Sequence, residues 1–294
     1  MEAWQALVLG IIEGITEYLP VSSTGHLLIA QNLLGIGVAN EQEKIAADTF
    51  AICIQGGAIL AVLGLYFKRV LMMKDGLLGR NPDGLKLFIL IVAGFLPAAV
   101  LGVIFDDWIE ATLFKPWPIV AALLAGGIAI LLIEKAKPRD PGASSGRDLL
   151  EMTWKMALVI GFMQCIAMWP GTSRSLMTIL GGLLVGLSVK AAVEYSFLLG
   201  VVTLTAATAK KALWPVSGLD PAWDVWFGGT KLLWETYGAM PLLVGIFSAA
   251  ISAALAVKWL VTYLQRHGLS IFGWYRIILA AVLAALFVTG MVTV

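Results

Sequence analysis

The sequence is poor in charged residues, in cysteine and in histidine. Only 13% of its 294 residues are charged, whereas 60% are hydrophobic. Because soluble domains carry about 25% charged residues, this composition indicates an integral membrane protein. The formal net charge of +1 offers no basic surface, so we expect no nucleic-acid partner. Cys53 and Cys165 lie in separate apolar runs without metal-ligand spacing, which predicts buried and inert thiols.

Six long apolar segments set the expected fold. A membrane-spanning helix needs about 20 mostly apolar residues, and continuous apolar runs differ from the alternating pattern of a β-barrel. The segments that qualify lie at about 46–67, 86–105, 117–134, 191–210, 240–260 and 271–292. The sequence therefore predicts an all-α integral membrane protein, a bundle of six transmembrane helices surrounded by the lipid bilayer.

Four further apolar segments are too short to span a bilayer, and they occur in two pairs. Residues 4–19 and 24–36 flank one proline, and residues 156–169 and 175–187 flank another. Short apolar segments of this kind are typical of re-entrant helices. We therefore expect two re-entrant helix pairs in addition to the six spans.

The two broken pairs, at about 4–36 and 156–187, resemble each other in sequence. An alignment of Pro20 with Pro170 needs one gap, because Gly10 precedes its proline by one residue more than Gly161 does. The alignment matches Glu13 with Gln164, Ser22 with Thr172, Ser23 with Ser173 and Thr24 with Arg174. Each pair precedes three long apolar segments. The pattern predicts one membrane domain over 1–294, built from inverted repeats at about 1–134 and 150–294, with a binding site near the bilayer midplane.

Positive charge is distributed unevenly between the two sets of predicted loops. Fourteen of the 20 lysines and arginines fall in one set, Arg80 and Arg276 among them, and five fall in the other. Loops rich in lysine and arginine face the cytoplasm. This orientation predicts that the first re-entrant pair enters the membrane from the periplasmic side and the second from the cytoplasm.

The first broken pair carries two carboxylates at membrane depth, where ionisable groups are costly and usually functional. Within EGITEYLPVSSTGH (13–26), Glu13 and Glu17 are four residues apart and therefore share one helical face. Two close carboxylates in a low-dielectric site do not both ionise without a cation. Either one of them holds a proton or a metal ion binds between them.

Both broken pairs place hydroxyl groups at the start of their second helix. Free N–H groups at such a helix end bind anions, and an arginine fork matches two phosphate oxygens. The pattern therefore predicts a phosphate site formed by both pairs. Its candidate residues are Ser22, Ser23, Thr24, Gly171, Thr172, Ser173, Arg174 and Ser175.

One of the two histidines lies beside these hydroxyls. His26 follows Ser23 by three residues, so both side chains can face the same side of one helical turn. This spacing suits a hydroxyl nucleophile with an adjacent base. Two assignments stay open: Ser23 attacks phosphorus with His26 as its base, or His26 is itself the nucleophile.

The two motifs EGITEYLPVSSTGH (13–26) and PGTSRSLMT (170–178) resemble the signatures of the bacterial undecaprenyl-diphosphate phosphatases, the bacitracin-resistance family. The similarity extends to FAICIQGGAILAV (50–62), GFLPAAVLG (94–102) and EYSFLLG (194–200), and so covers most of the chain in order. That family is similar in having six spanning helices and two re-entrant pairs.

The resemblance implies an enzyme of the bacterial inner membrane. It would hydrolyse undecaprenyl diphosphate to undecaprenyl phosphate and inorganic phosphate, which recycles the lipid carrier of peptidoglycan synthesis and confers bacitracin resistance. A divalent cation, Mg²⁺ or Ca²⁺, would bind at Glu13 and Glu17. By resemblance Glu13, Glu17, Ser23, His26 and Arg174 match the catalytic positions of the family. The residues around them are Ser22, Thr24, Ser173, Ser175 and Thr178.

A transporter or lipid flippase is the rival hypothesis, because inverted repeats with broken helices are typical of secondary transporters. Both hypotheses require a phosphate site. Only the enzyme requires a nucleophile and a base beside it. The sequence does not decide the oligomeric state, and a homodimer stays open.

Overall fold

A computed structural model of the protein describes residues 1–136, 146–214 and 225–292, most of which lie in helices. These residues form twelve α-helices and one 3₁₀ turn (Leu149–Glu151), and they contain no β-strand. In chain order the helices are α1 (Ala3–Tyr18), α2 (Ser23–Leu33), α3 (Glu41–Leu65), α4 (Phe67–Leu77), α5 (Pro82–Leu113), α6 (Pro116–Ala136), α7 (Trp154–Ile166), α8 (Arg174–Leu184), α9 (Val189–Leu213), α10 (Gly228–Tyr237), α11 (Ala239–His267) and α12 (Ser270–Val288).

Six of these helices are long and apolar enough to cross a membrane, namely α3, α5, α6, α9, α11 and α12. They coincide with the six predicted segments, which confirms the all-α fold with six transmembrane helices. Large apolar side chains such as Val103, Leu132 and Phe247 are exposed on them. Lipid tails solvate such surfaces, which are rare on soluble monomers. The chain is therefore a multi-pass membrane protein.

The four short apolar segments are helices as well. They form α1 and α2 on either side of the first prolyl turn (19–22), and α7 and α8 on either side of the second (167–173). Their re-entrant placement in a bilayer stays a prediction. Two helices were expected to be loops: α4, whose basic residues interrupt its apolar face, and α10, which lies between α9 and α11.

The helix caps correct the expected register of the two repeats by one residue. Ser22 caps α2 and Ser173 caps α8, and both have a positive φ, 74° and 75° respectively. The structure therefore pairs Ser22 with Ser173 and not with Thr172. The second turn has one more residue between its proline and its cap, so an alignment on the prolines displaces everything that follows them.

Close helix contacts relate the two halves reciprocally. A Cβ added at Gly10 of α1 would lie 2.4 Å from the carbonyl oxygen of Gly245 in α11, and one at Gly161 of α7 would lie 2.5 Å from that of Gly94 in α5. Such an approach requires glycine. The same number of residues separates Gly10 from Gly161, Gly94 from Gly245, and the cap Ser22 from the cap Ser173. The first helix of each half thus packs on the other half, which supports the predicted repeat; the inversion across the membrane stays a prediction.

One of the fourteen charges assigned to cytoplasmic loops is misplaced. Arg276 lies inside α12 and is fully buried. It was counted as a loop residue because it lies close to the beginning of an apolar segment. Its removal leaves thirteen basic residues against five, so the predicted orientation is unchanged.

Candidate active site

The two prolyl turns meet at a cavity of about 160 Å³. Residues of both turns and of the helices behind them form its wall. The lining residues are Glu17, Ser22, Ser23, Thr24, Gln55, Ala167, Pro170, Gly171, Ser173, Arg174 and Leu204. Two segments far apart in sequence thus contribute to one polar cavity, as the sequence predicts.

Arg174 begins α8 and reaches across this cavity to the first turn. Its Nη2 donates a hydrogen bond to Oε1 of Glu17 at 3.1 Å, and its Nη1 donates to the carbonyl oxygen of Ser196 at 3.0 Å. The guanidinium also lies 5.3 Å from the ring centroid of Tyr18. Its Nε has no hydrogen-bond partner among the described residues. A buried guanidinium that lines a cavity and has an unpaired N–H group suits an anionic ligand.

The hydroxyl of Ser23 is paired with Glu17. Its Oγ donates to Oε2 of the carboxylate at 2.7 Å. Among the described residues no hydrogen bond joins Ser23 to His26, although the sequence predicts that both side chains can face the same side of one helical turn. Ser23 is the first residue of α2, directly after a strained cap, and its side chain points back to α1 instead of along its own helix. Glu17 is therefore in the position of a base for the serine hydroxyl.

His26 does not line the cavity, and it is held by Ser22 and Tyr275. Its Nδ1 lies 2.7 Å from the carbonyl oxygen of Ser22, and its Nε2 lies 2.6 Å from the hydroxyl of Tyr275. Because a carbonyl only accepts, Nδ1 carries the proton and Nε2 accepts from the tyrosine. The two rings are nearly parallel, with centroids 5.5 Å apart. In this arrangement the lone pair of Nε2 is already engaged.

Glu13 is the most deeply buried carboxylate of the site. It is 0% exposed, and neither of its oxygens has a hydrogen-bond partner in the part of the chain that the structure describes. The same residues contain no group of three or more His, Cys, Asp or Glu side chains that could hold a metal. Two carboxylates suit Mg²⁺, which takes its other ligands from water and phosphate, better than Ca²⁺. The orphaned carboxylate therefore fits a proton or a cation of the Mg²⁺ type.

The remaining candidate binding residues divide into two groups. Ser22, Thr24, Gly171 and Ser173 line the cavity. The structure does not bring Thr172, Ser175 and Thr178 to it. Ser175 donates to the carbonyl oxygen of Leu19 at 2.9 Å, Thr178 shares a hydrogen bond of 2.6 Å with Ser196, and Thr172 is buried. Ser175 and Thr178 thus join α8 to its neighbours, whereas the hydroxyl of Thr172, in the turn before α8, has no hydrogen-bond partner among the described residues.

The backbone is strained at both edges of the cavity. Ser22 and Ser173 adopt a positive φ that side-chain-bearing residues rarely adopt. Each such residue costs about 1–3 kcal/mol, and strain of this kind clusters at ligand sites. The strain persists here because a hydrogen bond fixes each cap: Ser22 accepts from His26, and the hydroxyl of Ser173 accepts from the amide of Leu176.

Several residues of the site were not recognised in the sequence. Gln55 lines the cavity, and its signal is a polar side chain inside an apolar span. Gly200 leaves the space that Arg174 occupies, since a Cβ there would lie 2.3 Å from Nη1. Tyr275 contacts His26 from 249 positions away, a distance at which spacing carries no information.

Comparison with known proteins agrees with this site. The chain matches the family model described as bacitracin resistance protein BacA over residues 6–282. The chain belongs to the bacitracin resistance protein family. It is 42% identical to an undecaprenyl-diphosphatase of Sorangium cellulosum over 278 residues, which cover 95% of this chain and 84% of that protein. It is 43% identical to undecaprenyl-diphosphatase 2 of Rhodospirillum rubrum over 289 residues, covering 98% and 96%.

The bacitracin resistance family match includes both broken helix pairs, so the resemblance read from the two motifs is confirmed. A third relative, an undecaprenyl-diphosphatase of Ectopseudomonas mendocina, is 41% identical over 284 residues and covers 96% of this chain and 93% of that protein. The names of these three relatives are those of phosphatases and not of transporters.

The space at Gly200 gives a test of the role of Arg174 in anion binding. A methyl group in Gly200→Ala would displace the guanidinium from Glu17 and Ser196. We expect pyrophosphate binding, measured by calorimetry in detergent, to weaken by about 10-fold or more, the scale of one charge-assisted hydrogen bond. Gly64→Ala is the matched control, because a Cβ at Gly64 has nothing within 4 Å. Unchanged affinity in Gly200→Ala would contradict the anion-binding role.

Proposed function

We propose that the protein hydrolyses undecaprenyl diphosphate to undecaprenyl phosphate and inorganic phosphate in the bacterial inner membrane. The reaction recycles the lipid carrier of peptidoglycan synthesis and confers bacitracin resistance. The observation that carries the proposal is the contact chain from Ser23 through Glu17 to Arg174, at a cavity between two helix ends. The phosphatase names of the relatives in Sorangium cellulosum and Rhodospirillum rubrum support it.

The cavity binds the terminal phosphate of the substrate, and the lipid tail lies along the apolar helices. Arg174 lines the cavity, and its guanidinium donates to the phosphate oxygens. The first turns of α2 and α8 add backbone N–H groups and the positive ends of two helix dipoles. These groups favour the extra negative charge that develops on phosphorus oxygens during phosphoryl transfer.

Ser23 attacks the terminal phosphorus while Glu17 accepts the hydroxyl proton. A phosphoserine forms as the bond between that phosphorus and the bridging oxygen breaks, and lipid monophosphate leaves. Water then hydrolyses the phosphoserine, which releases inorganic phosphate and restores the hydroxyl. When phosphate draws Arg174 away from Glu17, the carboxylate loses that hydrogen-bond partner and is free to accept the proton of Ser23. Substrate binding thereby activates the nucleophile.

His26 has a positioning role in this mechanism. Its hydrogen bond to the carbonyl of Ser22 holds the strained cap directly before the nucleophile. The alternative, attack by His26 on phosphorus, would require Nε2 to leave Tyr275. The observed contacts therefore favour Ser23 over His26 as the nucleophile.

Glu13 and Glu17 would hold a divalent cation, Mg²⁺ or Ca²⁺, which when bound supplies positive charge to the phosphate oxygens. The two-carboxylate set favours Mg²⁺. Without a cation, Glu13 holds a proton, because a second buried negative charge so close to Glu17 is unfavourable. A homodimer is compatible with the proposal, and analytical ultracentrifugation in detergent would decide it.

The site opens to the periplasm in this proposal, and cysteine labelling in intact cells tests that orientation. In a background without Cys53 and Cys165, Ala39→Cys lies in the exposed loop between α2 and α3, and Arg80→Cys lies in the exposed loop between α4 and α5. We expect an impermeant maleimide to label Ala39→Cys and to leave Arg80→Cys unlabelled, since the loop with Arg80 belongs to the basic set. The opposite labelling pattern would reverse the orientation.

Phosphate release by the purified protein in detergent tests the reaction itself. We expect the enzyme to hydrolyse undecaprenyl diphosphate in detergent, where there is no second compartment. A transporter or flippase would release no phosphate under these conditions. Glu17→Gln should lower kcat about 10³-fold, the usual contribution of a general base, and Ser23→Ala should abolish phosphate release. Thr262→Ala, a hydroxyl on α11 bonded only to its own helix, is the matched control and should keep full activity.

The same assay tests the cation. A chelator should stop turnover and added Mg²⁺ should restore it, and Glu13→Gln should raise the Mg²⁺ concentration needed for half-maximal rate. Absence of phosphate release from the wild-type protein with either cation would refute the proposed function. Near-normal turnover of Glu17→Gln would instead refute the role of Glu17 alone.

A further inference from the structure

Arg276 of α12 is a fully buried guanidinium that donates to three backbone carbonyls. Nη2 donates to Gly171 at 2.8 Å and to Ala122 at 3.1 Å, and Nη1 donates to Pro20 at 3.4 Å. No carboxylate of the described residues lies within ion-pair distance of it. A buried charge without an ionic partner is costly, and so it is retained only where its hydrogen bonds are needed.

Two of the three carbonyls that Arg276 binds belong to the prolyl turns, one to each turn, and the third, that of Ala122, belongs to α6. Pro20 lies two residues before the cap Ser22, and Gly171 lies two residues before the cap Ser173. Both turns lie between helices, so these carbonyls are outside any regular helical ladder and need another donor. One planar fork therefore connects the two turns whose helices begin with Ser23 and Arg174.

The neighbouring helix α6 is shaped around this side chain. A Cβ added at Gly126 would lie 2.3 Å from Nη2 of Arg276 and 2.9 Å from its Cζ. Only a glycine at this position lets the guanidinium reach the carbonyl of Ala122 and the second turn at the same time. The position of Arg276 is thus fixed from three sides.

We infer that Arg276 is a positioning residue that holds the two prolyl turns at a fixed separation and places a positive charge behind the phosphate cavity. It does not line the cavity, so it acts through the turns and not on the substrate. The inference rests on the proposed function only in its effect on turnover. The tie between the turns is a property of the protein without substrate.

Substitution by lysine or by methionine separates the tie between the two turns from the positive charge behind the cavity. A lysine keeps the charge, but its single ammonium cannot span three carbonyls that face different edges of a planar guanidinium. A methionine keeps the approximate length and removes both the charge and the donors. Arg276→Lys therefore isolates the loss of the tie, and Arg276→Met removes the tie and the charge together.

Hydrogen exchange of the purified protein without substrate tests the tie directly. In Arg276→Met we expect amide exchange to accelerate at least 10-fold in both turns together, 19–25 and 171–177. Arg276→Lys should show the same acceleration. Phe272→Leu is the matched control on α12, since its buried side chain donates no hydrogen bond to either turn and its ring packs on Trp259 and Tyr263; it should leave both turns at the wild-type rate.

Binding and kinetics give the second readout. Arg276→Lys should keep pyrophosphate affinity within about 3-fold of wild type, whereas Arg276→Met should weaken it about 10-fold, the scale of one charge at short range. Both variants should lose at least 10-fold in kcat with a smaller change in KM, because misplaced groups act mainly on the transition state. If Arg276→Met does not fold, Gly126→Ala, which displaces the fork, should show the same acceleration in both turns.

Three results would overturn the inference: exchange in the turns at the wild-type rate, acceleration in only one turn, or equal acceleration in Phe272→Leu. Because exchange is measured without substrate, it decides the tie even if the protein releases no phosphate. Absent turnover with accelerated exchange would leave Arg276 in its positioning role and refute the enzyme instead.

Discussion

The carboxylate of Glu17 connects the two halves of the protein, and the candidate site depends on it. One oxygen accepts from Arg174 at 3.1 Å and the other from Ser23 at 2.7 Å. Buried ion pairs add little net stability, because the desolvation of both charges offsets their attraction. Removal of one partner, however, leaves an unpaired buried charge and costs about 3–5 kcal/mol. The interaction therefore serves the arrangement of the site more than the stability of the fold.

The surrounding structure keeps this contact in place before any ligand arrives. Two strained serine caps aim α2 and α8 at one cavity, and glycines let α1 and α7 approach the long helices of the opposite half. Arg276 binds both turns from behind. A site fixed in advance needs little reorganisation when charge develops in a transition state, and much of catalysis comes from this preorganisation. The strain and the buried charges are its cost.

The sequence predicts the parts of the structure that depend on local composition. Apolar length alone located the six spans and the four short helices, and the scarcity of charge marked Glu13, Glu17 and Arg174 as exceptional. Contacts between distant elements were not predictable in the same way. Arg276 is predicted in a loop, since its position near the beginning of an apolar run does not reveal which residues surround it.

Contacts predicted from spacing along the chain also differ from the structure near the two caps with a positive φ. The interval from Ser23 to His26 predicts that both side chains face the same side of one helical turn. In the structure Ser23 follows a strained cap directly, and its hydroxyl binds Glu17. The sequence alignment makes the two prolines equivalent points of the repeats, whereas in the structure the serine caps are the equivalent points. The pattern beside Arg174 predicts Ser175 at the phosphate site, and the family resemblance implies Thr178 there. The structure turns both side chains into the protein.

The central claim is that Ser23, activated by Glu17, attacks phosphorus. Rapid acid quench of the enzyme with undecaprenyl diphosphate labelled in its terminal phosphate, followed by peptide mapping, tests it most directly. The account predicts an acid-stable phosphoserine at Ser23 in the wild-type protein and none in Ser23→Ala. An acid-labile phosphohistidine at His26, or turnover with no label on the protein at all, would contradict it.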